Sequence, residues 1–233
     1  MSASAEAPST TPPPAAKPLA QRLLHVAWLS IAVGLSLELI LLLCAALFGK
    51  NVQAAAFIAG LAQKVSWSWL VCTGIALGTA ASRVQPIVSG FAGLLSAPIA
   101  FAVARATHKS VAQALSTAVA AGPSPVLLAA LKGAQYAIFG ALIAYSSGKT
   151  PIQVKRYALV GLGVGVVFGG LMVWVGAQAA EASGQPLDAP ALVSRLINEI
   201  LFPIGCALVI CAADALGRKG AAEAAKPPGP SAS

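Results

Sequence analysis

Charge is what this sequence has least of. Asp, Glu, Lys and Arg make up only 9% of its 233 residues, where a soluble domain carries roughly 25%. With 58% hydrophobic residues and a mean hydropathy of +0.81, the composition speaks against a water-soluble globule. Chemistry-bearing motifs are equally sparse. No GxSxG, HExxH, paired-aspartate or DxxD-type pattern occurs, so no catalytic residue is assigned and enzymatic activity is not expected. The four cysteines, Cys44, Cys72, Cys206 and Cys211, have neither zinc nor iron-sulfur spacing and read as small buried hydrophobes. No disulfide, metal or other cofactor is expected. A basic face interleaved with groove-reading or aromatic elements is missing too, which excludes a nucleic-acid partner despite the net charge of +8.

What is present is apolar sequence in long blocks, at 23–48, 56–81, 87–104, 126–145, 157–179 and 191–216. A helix needs about 20 apolar residues, at about 1.5 Å each, to cross the hydrocarbon of a bilayer. Backbone groups in lipid must bond internally, and the blocks lack the alternation of barrel strands. The expected fold is all-α, a polytopic integral membrane bundle of six transmembrane helices over 22–217, with the lipid bilayer as its first partner.

The flanks, 1–21 and 218–233, are rich in Ala, Pro and Ser and are expected to be disordered tails. The start has no basic region running directly into a short apolar core and does not read as a signal peptide. Lys17, Arg22, Arg83, Lys149, Lys155, Arg156, Arg218, Lys219 and Lys226 fall on one side of the spans, and Lys50, Arg105, Lys109 and Arg195 on the other. Lysine and arginine favour the cytoplasmic side. The expected topology is multi-pass in a bacterial-type inner (plasma) membrane, with both termini cytoplasmic.

Away from the block ends, where Arg195 and Asp214 fall, four ionic residues lie deep inside the blocks: Glu38, Lys64, Lys132 and Glu199. Counted from the block ends, all lie roughly 10 to 15 Å below one boundary. An ion at mid-membrane costs about 2.5 to 3.5 kcal/mol on insertion scales, so the four are expected to face inward and pair, Glu38 with Lys64 and Lys132 with Glu199. Gln63, Asn198, Gln135 and Tyr136 add hydrogen-bonding groups near that level. Pro203 lacks the N–H that would bond the Glu199 carbonyl. The freed carbonyl beside a carboxylate can hold a cation or a water, or the proline simply bends the helix, as Pro98 can. The layer is either a site for an ion or solute or a device that sets helix contacts and register.

A weak parallel repeat matches the first two blocks to the last two, setting Leu61, Gln63 and Lys64 on Leu196, Asn198 and Glu199, and Arg22 on Arg156. Gly161, Gly165 and Gly169 mark a close-packing stripe, not a phosphate loop. A cation–π contact between Lys64 and Trp67 fits helical spacing. Asp214 is expected to meet Arg218 one turn on. His25 and His108 fall near opposite boundaries, too far apart to share a ligand. The segment 107–125 is read as a short surface helix or as loop.

Two functions follow. The leading one is a small transporter or channel-like protein for an ion or small solute, using the paired Glu and Lys layer. The alternative is a non-catalytic membrane scaffold or accessory subunit whose ion pairs fix helix assembly. A homo-oligomer or a partner membrane protein is compatible with either.

Overall fold

The computed structural model describes residues 16–81, 86–116, 124–147, 149, 151–184 and 186–224. Among them are six helices: α1 (Ala16–Leu47), α2 (Ala54–Ala81), α3 (Pro86–Ala114), α4 (Pro125–Ser147), α5 (Val154–Ala182) and α6 (Ala189–Ala224). Each is long and apolar enough to cross a membrane, and the chain is a multi-pass membrane protein. Large apolar side chains cover the outside, with Trp28 67% and Ile87 83% exposed. Such a surface is at ease only against hydrocarbon.

The helices form a closed ring. Each lies against its neighbours in chain order, and α6 returns to α1. The even helices α2, α4 and α6 also touch across the middle, whereas α1, α3 and α5 do not meet one another among the described residues. The bundle is therefore three helix pairs, each with its even member inside. One end, the terminal face, carries the start of α1 and the end of α6. The opposite, distal face carries the α1–α2, α3–α4 and α5–α6 connections. There Lys50 pairs with Asp188, linking the first and last of these connections. Asp188 also accepts the Ala191 N–H at 2.9 Å as the N-cap of α6. The Lys50 ammonium, and then this N–H, hold its carboxyl below the usual carboxylate range.

The three inner helices are in register. Starting from Lys64, Lys132 and Glu199, steps of three or four residues keep to one helix face. They reach Trp67, Gln135 and Phe202, then Val71, Phe139 and Cys206, then Ile75, Ile143 and Ile210, and finally Thr79, Ser147 and Asp214. The Val71 and Ile75 sets are fully buried. The residues aligned by the weak sequence match, Lys64 and Glu199, occupy two of the three positions in this register. The α3–α4 pair occupies the third, although its letters show no match to the others.

Glycine allows the close approach of α5 to α6. A Cβ on Gly161 would come 2.6 Å from the Ile204 Cα, and one on Gly165 2.9 Å from the Ile200 Cα. Gly163 and Gly170, on other faces of α5, would meet nothing within 4 Å.

Helix boundaries differ from the sequence expectation in three places. The segments read as tails are partly helical, because α1 starts at Ala16 and α6 continues to Ala224. Ala, Leu, Lys and Gln after the proline run favour helix, as does the alanine-rich stretch after Arg218. The parts at 1–15 and 225–233 lie outside the described residues. Nor is there a separate surface helix after 107, since α3 runs on without a break to Ala114. Residues 117–123 of that segment also lie outside the described residues.

Gly161→Ala should lower the unfolding temperature in detergent, in line with the roughly 1–3 kcal/mol typical of overpacking. Gly163→Ala, with the same gain in helix propensity and open space around it, should match or exceed wild type.

Candidate functional site

The four expected ionic residues meet in pairs. Lys64 Nζ lies 2.7 Å from Glu38 Oε2, joining α2 to α1. Lys132 on α4 donates to Glu199 on α6. Glycine seats both carboxylates: a Cβ on Gly60 would stand 2.5 Å from Glu38 Oε1, and one on Gly169 2.8 Å from Glu199 Cβ. Every member of the two pairs is largely withdrawn from the surface. Asn198 reaches Glu199 Oε1 at 3.4 Å.

The other expected polar groups sit nearby without joining this network. Gln63 lines the adjoining cavity. Gln135 is fully buried, and neither polar atom of its amide has a hydrogen-bond partner. Tyr136 enters an aromatic layer instead. Its ring meets Trp67 edge-on at 5.6 Å, and Phe202 closes the triangle at 5.9 and 6.3 Å. Phe139 extends the layer toward the terminal face. Pro203 is buried at the same level, and α6 runs through it.

The cation over Trp67 is Lys132, 5.4 Å from the ring centroid, and not Lys64 as helical spacing predicts. Lys64 is drawn the other way, by Glu38 on the neighbouring helix. A direct ion pair outweighs a ring quadrupole.

Above the aromatic layer, a cavity of about 500 Å³ opens toward the distal face. Lys64, Trp67, Lys132, Glu199 and Phe202 form its deep end, and Arg105, His108, Lys109 and Arg195 stand higher on its wall. The odd helices supply Leu41, Ala104 and Met172. His108 thus belongs to the site, which its place near a boundary did not reveal. The α3 extension to Ala114 carries Arg105, His108 and Lys109 as part of one rigid helix.

Toward the terminal face the bundle is shut. Below the aromatic layer the Cys72 and Cys206 thiols meet at 2.9 Å, followed by fully buried Ile75, Ile143 and Ile210. A polar cluster then closes the end. Asp214 pairs with Arg22 at 2.5 Å and accepts the hydroxyls of Ser147 at 2.7 Å and Tyr157 at 2.8 Å. Arg22 also reaches Thr79 at 3.2 Å.

Asp214 therefore does not pair with Arg218, contrary to the one-turn spacing. Arg218 donates to the carbonyl of Ser147 at 2.6 Å. An inward carboxylate gains more from a guanidinium and two hydroxyls converging from three other helices than from one neighbour on its own. The sequence signal was present, since Arg22 and Asp214 sit near the same boundary. Nothing in the local spacing linked them.

No protein-family model, curated protein or solved structure matches this chain. Any reading of the site rests on its own geometry.

Lys132→Met alone would leave Glu199 as an unpaired inward charge. It should destabilise the bundle by about 3–5 kcal/mol, and Lys132→Met with Glu199→Gln should recover most of that loss. Reversible unfolding of wild type, both single variants and the double variant in detergent measures the coupling.

Proposed function

We propose that the protein is a small transporter for an ion or small solute, with the cavity above the aromatic layer as its binding chamber. The observation that carries this reading is the cavity itself. In a chain made almost entirely of apolar helices, about 500 Å³ of open space ends on two lysines and a glutamate. A bundle needing only rigid packing has no use for such a chamber, because voids forfeit contacts.

The layers have the order a one-sided passage requires. A solute entering from the distal face meets cationic side chains and then Lys64, Lys132 and Glu199. It is stopped by Trp67, Tyr136 and Phe202, by the isoleucines beneath, and by the Arg22–Asp214 cluster. Passage to the terminal face requires these lower layers to part while the chamber closes above. The three helix pairs are natural moving units for that exchange. Between the chamber and the lower polar cluster, the unpartnered amide of Gln135 is a point where water or a passing solute finds hydrogen bonds. The lysine and arginine distribution supports a cytoplasmic terminal face and an external distal face, in an inner membrane.

The scaffold reading draws on the same pairs, since each joins two helices. Flux separates the two. In proteoliposomes screened with a panel of charged and neutral small solutes, wild type should show saturable uptake. Glu38→Gln with Lys64→Met should cut it by about tenfold or more while the protein still folds. Full activity in that double variant, or no flux of any solute by wild type, would sink the transport reading.

Single cysteines introduced into a cysteine-free background supply a second check. A membrane-impermeant maleimide should label positions 63 and 198 readily and positions 75 and 210 hardly at all. Equal labelling of all four would contradict a passage closed beneath the aromatic layer.

A further inference from the structure

The charge of the cavity wall is lopsided. Lys64, Arg105, Lys109, Lys132 and Arg195 line it, and Glu199 is the one carboxylate among them. Glu38 stands behind Lys64 and neutralises it from α1. Five cations against these two carboxylates leave an excess of three positive charges around about 500 Å³. Among the described residues, no carboxylate pairs with Arg105, Lys109 or Arg195.

The other inward-facing charges of the bundle are neutralised one by one. Glu38, Lys64, Lys132, Glu199, Arg22 and Asp214 are all paired, and even exposed Lys50 has Asp188. Three unpaired cations gathered around one recess repel one another, and their potential is focused by low-dielectric walls. Arg195 is also fitted into place: a Cβ on Gly176 would come 2.9 Å from its guanidinium Nη1, so glycine on α5 leaves the room that the Arg195 side chain takes.

We propose that the chamber binds a small oxyanion, a phosphate or carboxylate group, between Lys132 at its floor and Arg105 and Arg195 on its wall. The inference rests on the chamber being a binding site, as proposed above, and names what it takes. Guanidinium groups suit this role because their planar fork matches two oxygens at once. Lys132 remains available even while held by Glu199, since an ammonium has three donors and the carboxylate needs one. A cation is disfavoured throughout the approach. The oxyanion can come from a free solute or from a phosphate headgroup of a surrounding lipid, as cationic side chains near a membrane boundary attract both.

The test is equilibrium binding, which requires no transport. Wild-type protein is purified and placed in nanodiscs of phosphatidylcholine alone or with phosphatidylglycerol. The unfolding temperature is then followed against inorganic phosphate and citrate, with chloride holding ionic strength constant. A ligand of the folded state raises that temperature in a saturable way. Phosphate or citrate should do so in phosphatidylcholine discs. Arg105→Gln with Arg195→Gln should weaken the apparent affinity by about tenfold or more, while Lys155→Gln on the terminal face should leave it unchanged. Both arginines lack acidic partners, so the double variant is expected to fold.

Stabilisation by a dissolved anion assigns the source to a solute. Stabilisation by phosphatidylglycerol alone, lost in the same double variant, assigns it to a headgroup. No saturable effect of either, or an equal loss with Lys155→Gln, overturns the oxyanion site. Cation flux by wild type without anion binding would overturn this inference and spare the transport reading; anion binding without any flux would do the reverse.

Discussion

Ionised groups inside an apolar bundle persist only where an opposite charge reaches them, and that constraint organises this structure. Glu38 with Lys64 ties two consecutive helices, and Lys132 with Glu199 and Arg22 with Asp214 each tie two helices distant in sequence. Contacts made by apolar packing alone would tolerate many rotations of a helix. An ion pair admits few, because turning either helix by one residue moves a carboxylate into hydrocarbon, and each unpaired ion there costs about 2.5 to 3.5 kcal/mol or more. The pairs thereby fix the rotation of four helices out of six, α1, α2, α4 and α6. Of the other two, α5 is held by the Tyr157 hydroxyl on Asp214 and by Gly161 against α6, and α3 by glycine-mediated contact with α4, as where a Cβ on Gly140 of α4 would stand 2.5 Å from the Ser89 carbonyl oxygen.

From that fixed rotation the layers follow. Once Lys64, Lys132 and Glu199 face a common cavity, the helical period brings Trp67 and Phe202 together beneath them, then the isoleucines, then Thr79 and Asp214. Similar chemistry recurs at similar heights because three inner helices run in the same direction and in register. The cavity forms above the aromatic layer, where the side chains on the inner faces are long, polar and mutually repelling and do not fill the space between the helices. Below it, the matching positions carry compact apolar groups that interlock.

Much of the fold was legible in the sequence, and the reason is the bilayer. Block length and composition suffice to specify spans when every backbone group must be satisfied within its own helix. The ionic residues were equally conspicuous, because so few charges interrupt the blocks. Less visible were the groups whose partners lie on other helices. Asp214 has an arginine one turn away on α6, yet it faces Arg22, Ser147 and Tyr157. Lys64 has Trp67 three residues on, yet the lysine over that ring comes from α4. Local spacing lists available neighbours; it does not rank them against groups arriving from elsewhere. The third helix pair escaped notice for a related reason. Its inner residues, Lys132, Gln135, Phe139, Ile143 and Ser147, match the others in position and burial more than in letter.

By itself the sequence determined that the chain is a set of membrane-capable helices with a small store of inward charge, since length and polarity are properties of each segment alone. Only the tertiary structure decided that α2, α4 and α6 form the centre, that Arg105, His108 and Arg195 share a chamber with the lysines, and that Asp214 seals the far end. Those outcomes depend on how each helix is rotated about its axis relative to its neighbours. Rotation is settled by contacts between residues far apart in the chain, which no single segment encodes.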